Sequence, residues 1–245
     1  MGTVTRSIRL ASVLVVVAML AHSAAVRAET LADVEKFIGD KWDKLKSASY
    51  DMEMSSNNEG QGYSMKMTSA GKGEVMRDGE KVKIHMETKT TNNMVAAGNT
   101  TKTEMLSTMV VDGEFAYTMM DNSGQKSVMK MKAQSYADGA GGKGFLKMLK
   151  DSNELSLLPD ETIDGQAAYV LEGKPKGAAA AAGQNSKYYF SKDNGMVIQS
   201  VSGSADGKAK TIMKVTNIKI DPTIPAEHFS FTPPAGVQVT DMTKQ

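Results

Sequence analysis

The side chains here that could do chemistry are mostly methionine thioethers. The chain carries 19 Met against 6 Phe and 1 Trp, and it has no Cys. Several of them recur two residues apart: Met52 and Met54, Met65 and Met67, Met129 and Met131. In a strand, residues i and i+2 point to the same face, so such pairs converge. Three chemistries follow. Methionine can fill a core, because its unbranched thioether suits irregular gaps. It can line a cavity that re-packs around flexible apolar ligands. It can bind Cu(I), which soft thioethers favour.

The more familiar reactive sets are missing. Without cysteine there is no disulfide, thiolate metal site or catalytic thiol. His22, His85 and His228 stand far apart in the sequence, so no metal ligand set is assigned. No G-x-S-x-G elbow occurs. Gly203–Lys208 (GSADGK) is one residue short of a phosphate loop and lacks the following Ser or Thr. No nucleophile–base pair stands out, so no enzymatic activity and no cofactor are expected.

The elements that must position the methionines follow from periodicity. From Glu29 to Ala48, apolar residues recur at helical spacing (Leu31, Val34, Phe37, Ile38, Trp42, Leu45), with Thr30 and Asp33 arranged as a capping box. After Ser49 the period becomes two. Tyr50, Met52 and Met54 share a face; so do Met65 and Met67, Ile84 and Met86, Met105 and Met109, and Phe115 and Tyr117. These read as half-buried antiparallel strands, with their methionines, Ile84, Phe115 and Tyr117 as candidate cavity lining. Turns are expected at Asn57–Gly60, Asp78–Gly79, Asp112–Gly113, Asp121–Gly124, Asp164–Gly165, Asp193–Gly195 and Asp206–Gly207. Between them, Gly139, Gly141, Gly142 and Gly144 lead into a short apolar helix with Phe145, Leu146 and Leu149, either a lid or a connecting helix. The Ala-rich stretch from Gly177 to Gly183 is expected to be an exposed loop. Roughly ten to twelve strands and few helices define a mainly β (α+β) single domain.

The first 28 residues have the three-part architecture of a secretory signal. Arg6 and Arg9 precede an apolar stretch from Leu10 to Ala25, which ends in small residues before a cut expected after Ala28. The stretch is shorter than the ~20 residues of a spanning helix. The expected division is therefore a signal peptide at 1–28 and one domain at 29–245. That domain holds 26 basic and 28 acidic residues, net −2. It offers no basic field for nucleic acid. No cysteine follows the signal to carry a lipid, so a free protein in an extracytoplasmic compartment is expected.

The C-terminal run from Asn217 to Val237, which ends His228-Phe229-Ser230-Phe231-Thr232-Pro233-Pro234-Ala235-Gly236-Val237, resembles the end of the LolA-like family of outer-membrane lipoprotein carriers. The Val110–Tyr117 hairpin, the Tyr169–Lys176 strand and an Arg-bearing strand at Gly73–Arg77 agree in order. The resemblance covers essentially all of 29–245. It implies a single antiparallel sheet curved into an open, incomplete barrel around helices. The implied cargo is a lipid or the acyl chains of a lipoprotein, moved through the periplasm. An inner-membrane exporter, an outer-membrane acceptor, transient membrane-surface contact and a monomeric state come with it. It also implies that Arg77 latches a helical lid, with Asp78 standing where the family has Pro, and that Phe229 and Phe231 face inward from a final strand. Related sheets serve as sensors, which leaves a non-transport binding role as the alternative.

Overall fold

The structure, a computed structural model, describes residues 29–243 except 80, 134–141, 178–179 and 181–182. The residues of the expected signal segment, and Gly139 and Gly141 of the expected glycine lead, lie outside the described residues.

Helix α1 spans Leu31–Lys44. The capping box forms as the sequence predicts: Asp33 N–H donates to Thr30 Oγ1, and Thr30 N–H donates to the Asp33 carboxylate at 3.0 Å. The helix stops four residues before the expected Ala48. The amides of Lys46 and Ser47 are taken by the Asp221 carboxylate, at 2.8 and 3.1 Å, and Ser47 already pairs with Met76 in the sheet.

Twelve strands form one sheet. They are β1 (Ser47–Gly60), β2 (Tyr63–Asp78), β3 (Lys81–Ala96), β4 (Asn99–Val111), β5 (Phe115–Asn122) and β6 (Gln125–Lys132). After helix α2 (Gly142–Ser152) come β7 (Asn153–Ile163), β8 (Gln166–Pro175), β9 (Gln184–Ser191), β10 (Val197–Ser204), β11 (Ala209–Ile220) and β12 (Val239–Asp241). The order is β12-β6-β5-β4-β3-β2-β1-β11-β10-β9-β8-β7, so the sheet does not close. All neighbours are antiparallel except β12, which runs parallel to β6. This is the mainly β, open-sheet architecture that the resemblance implied.

Turn chemistry sets the registers. Asp164–Gly165, Ser123–Gly124 and Ala97–Gly98 all have positive φ at both residues, as a two-residue primed turn requires. The last of these joins β3 to β4 as a regular hairpin. The turn expected at Asn57–Gly60 is displaced: β1 continues through it to the Gly60–Tyr63 pair, and Gly62, at φ 78°, makes the bend.

The two helices pack together on one face of the sheet, here called inner. Val34 and Ile38 of α1 meet Leu146 and Leu149 of α2, and together they cover Tyr169, Leu171 and Phe190. A second cluster of Leu45, Ala48, Val75, Val82 and Met196 continues this core beneath Trp42 and Tyr50. Lys150 of α2 pairs with Glu35 of α1 at 2.8 Å, and Lys143 pairs with Asp43.

The C-terminal segment departs from the sequence-based expectation. Phe229 and Phe231 are not on a final strand. Ala226–Phe229 is a 3₁₀ turn after Pro225, with Phe229 buried, and Phe231 stacks on Tyr117 with centroids 5.1 Å apart. Pro233 and Pro234 have no N–H to give a ladder, which keeps this stretch out of the sheet. It crosses the outer face before β12 joins β6.

Candidate functional site

Strand register sorts the methionines onto one face. Tyr50, Met52 and Met54 of β1 alternate inward. Their partners Gly73, Gly71 and Ser69 share that face, and so do Met67 and Met65 farther along β2. Carried across the next pairs, the same register brings Ile84, Met86 and Met94 of β3 and Met105 and Met109 of β4 to the inner side. Met120 of β5 and Met129 and Met131 of β6 follow. From the other direction, Met213 sits opposite Met54 and Val215 opposite Met52. Of the strand methionines, Met76 and Met119 fall on the outer face.

Where this face passes beneath the helices it forms a half-open apolar cavity of about 320 Å³. Its floor is Tyr50 and Met52, Val75, and Ile84, Met86 and Met109. One wall is Met213 and Val215 with Met196 and Val197. Trp42 of α1 and Phe145 of α2 line it from the helix side. Two glycines allow this packing. The Tyr50 ring lies where a Cβ on Gly73 would be, and Trp42 lies where a Cβ on Gly142 would be. Burial raises the Tyr50 phenol above its ordinary pKa. Its hydroxyl has no hydrogen-bond partner among the described residues, so it offers one polar group inside an apolar wall. A larger depression, about 590 Å³, involves mainly the opposite face, with Glu53, Lys89, Lys214 and several hydroxyls among its lining. Its polar lining does not suit an apolar ligand.

Of the cavity residues the sequence proposes, Met52, Ile84, Met86 and Met109 are brought together. Met54, Met65, Met67 and Met105 share the face but lie beyond the cavity, half-buried, toward the hairpin ends. Phe115 and Tyr117 are not in it. The Asp112–Gly113 turn pairs Val111 with Ala116, which puts Ala116 inward and its neighbours outward, and Lys130 lies over the Phe115 ring. Within the short helix, Phe145 alone touches the cavity, edge-on to Tyr188 at 6.2 Å. Leu146 and Leu149 are buried against α1. Arg77 is on the inner side of β2, its amide bonded to Lys46 O at 2.8 Å; the Asp43 carboxylate raises the pKa of Lys143 of α2, and Arg77 is near enough to oppose that rise. Among the described residues its guanidinium has no ion pair.

Sequence reasoning missed Trp42, Tyr50, Val75, Met196, Val197, Met213 and Val215 as cavity residues. For the last two part of the signal was present, since Met213 and Val215 stand two residues apart, but the adjacent apolar Ile212, which points to the other face, blurs the alternation. It also left His85 and His228 apart. In the fold both imidazoles reach Glu74 on the outer face, with Nδ1 to Oε2 distances of 3.1 and 2.7 Å.

No helix among the described residues is long and apolar enough to cross a membrane. No family model and no curated protein matches the chain. Among solved structures it is similar to an uncharacterized conserved protein from Thermus thermophilus, at 10% identity over 86% of this chain and 98% of that one, with a TM-score of 0.51. The Mycobacterium tuberculosis lipoprotein LppX is similar at 10% identity, over 78% and 96% of the two chains, with a TM-score of 0.41. A putative outer membrane lipoprotein-sorting protein domain from Vibrio parahaemolyticus gives 9% identity, 80% and 94% coverage and a TM-score of 0.34. At these identities the likeness concerns the fold alone, for which the Thermus protein is the support used.

Proposed function

We propose that this chain is a periplasmic carrier that holds acyl chains of a lipid or lipoprotein in the methionine-lined cavity. Residues 1–28 would direct its export, with cleavage after Ala28. It would receive cargo from an inner-membrane exporter and pass it to an outer-membrane acceptor, touching membranes only in passing. The observation that carries this reading is the segregation of methionine to one sheet face. There it lines an apolar cavity of about 320 Å³ and then continues half-exposed beyond it. That volume is at the small end for ligand sites. It suits part of an acyl chain, with the remainder laid along Met54, Met67 and Met105. Thioether side chains re-pack at low cost, so one wall can take chains of different shape.

The energetics suit loading and release. Each buried methylene contributes about 0.8 kcal/mol. Helix α2 is the movable wall. Lifting it exposes Leu146 and Leu149, at about 1.5–3 kcal/mol each. Roughly four to eight methylenes offset that cost. Long chains therefore open the site and short ones do not, while the closed, empty state stays near enough in energy for handover. Arg77, close enough to Lys143 of α2 to act on its charge, would bias this equilibrium. The test is displacement of a fluorescent fatty acid from the purified protein. Binding that Met86→Asp abolishes in a folded variant supports the proposal. Binding that Met86→Asp leaves intact rejects the cavity as its seat.

A further inference from the structure

The outer face carries a second constellation, remote from the acyl cavity. Glu74 of β2 and His85 of β3 are direct cross-strand partners. His228 reaches them from the 3₁₀ turn, 154 residues from Glu74 in the chain. One donor atom from each of the three lies within 4.8 Å of the others. Glu74 and His85 are about one-fifth exposed and His228 two-fifths. On the far side of the His85 ring, Nε2 faces Glu87 Oε1 at 3.6 Å.

We infer that Glu74, His85 and His228 form a binding site for a zinc-class divalent ion that clips the C-terminal segment to the sheet. Two imidazoles and one carboxylate are the borderline donor set such ions take, with one position left open to water. Donors around a tetrahedral zinc lie about 3.3 Å apart, given bonds of about 2.0–2.2 Å. The two Glu74–imidazole spacings, 3.1 and 2.7 Å, would widen by about 0.2 and 0.6 Å, and the two imidazole donors, which lie within 4.8 Å of each other, would settle toward the same distance. The tautomer is provided for as well. A ligating imidazole donates its other N–H to a carboxylate, which fixes ring orientation. Glu87 stands where it can accept from His85 Nε2 once Nδ1 is committed to the ion. A calcium- or magnesium-type ion finds too few oxygens here.

The ion would join β2 and β3 to a segment otherwise held by Phe229, by the Phe231–Tyr117 stack and by β12. The experiment is equilibrium dialysis of the untagged, full-length protein against Zn²⁺, with melting curves in Zn²⁺ and in chelator. The expected result is one Zn²⁺ per chain and a melting temperature that rises with Zn²⁺. His228→Gln, at a position two-fifths exposed, should weaken binding by more than about 100-fold and remove the rise. Glu87→Gln should weaken it about 10-fold or more, as loss of an orienting carboxylate does. No bound Zn²⁺, or binding that His228→Gln and His85→Gln both leave unchanged, overturns the site.

Discussion

A single added methyl group can test the cavity without harming the fold. A Cβ on Gly73 would stand 2.3, 2.4 and 2.6 Å from Cζ, Cε2 and the hydroxyl of Tyr50. Ordinary carbon contact begins near 3.5 Å, so the ring must withdraw by about 1 Å. Those atoms are the far end of a side chain that rotates about χ1, and the open space beside the ring is the cavity it lines. Gly73→Ala therefore moves the phenol into the cavity. If the ring takes the room of two to three cargo methylenes, binding loses about 2 kcal/mol, or roughly 30-fold in affinity. Stability should hold or rise slightly, because alanine in a strand restores about 0.5–1 kcal/mol of backbone entropy. Gly71→Ala is the contrast. There the nearest atom is the Glu87 carbonyl oxygen at 2.1 Å, which belongs to the paired backbone and cannot swing away. That variant should lose stability outright. Fatty-acid displacement and thermal melts on both variants decide the matter. A Gly73→Ala protein that melts like the parent and binds acyl chains equally well would refute the reasoning.

Affinity for saturated fatty acids should rise about fourfold per added methylene until the chain outgrows the cavity and its half-exposed extension; a flat series measured by displacement would contradict burial in an apolar site. Leu171→Ala, at a fully buried position beneath α1 and α2, should cost about 2–5 kcal/mol in denaturant unfolding, and a loss well under 1 kcal/mol would mean the helices do not pack there. Asp221 accepts the amides of Ser47 and Lys46, which lowers its pKa in the folded state. Its contribution is therefore present above the unfolded carboxylate's pKa and fades as pH falls through the folded value. Asp221→Asn should melt lower than the parent at pH 7, with the gap closing under acid conditions. A gap that persists or widens there would assign the effect to something other than the carboxylate charge.

Much of the fold was written in local pattern. The switch from helical to two-residue period after Ser49, the Thr30–Asp33 cap and most of the turn dipeptides are all short-range signals, and the structure keeps them. Faces were harder to read. Period two says that Phe115 and Tyr117 share a side, but not which side. That depends on the register across Asp112–Gly113, where a one-residue shift inverts every side chain. The methionine face was legible because β1, β3 and β4 each carry the same alternation. Trp42 was visible only as a helix residue, since nothing local says that it overhangs Met52 and Met86. The meeting of His85 and His228 at Glu74 depends on a segment that leaves the sheet at Asp221 and crosses its outer face. Pro225, Pro233 and Pro234 hint at that departure without giving its destination.

The central claim is that the methionine-lined cavity carries acyl chains in the cell. Native mass spectrometry of the protein purified from an envelope fraction without detergent tests it most directly. The expected spectrum shows the protein with an added mass matching a lipid or acylated protein, and that mass is lost from the Met86→Asp variant. A bare mass that stays bare after incubation with envelope lipids would contradict the account.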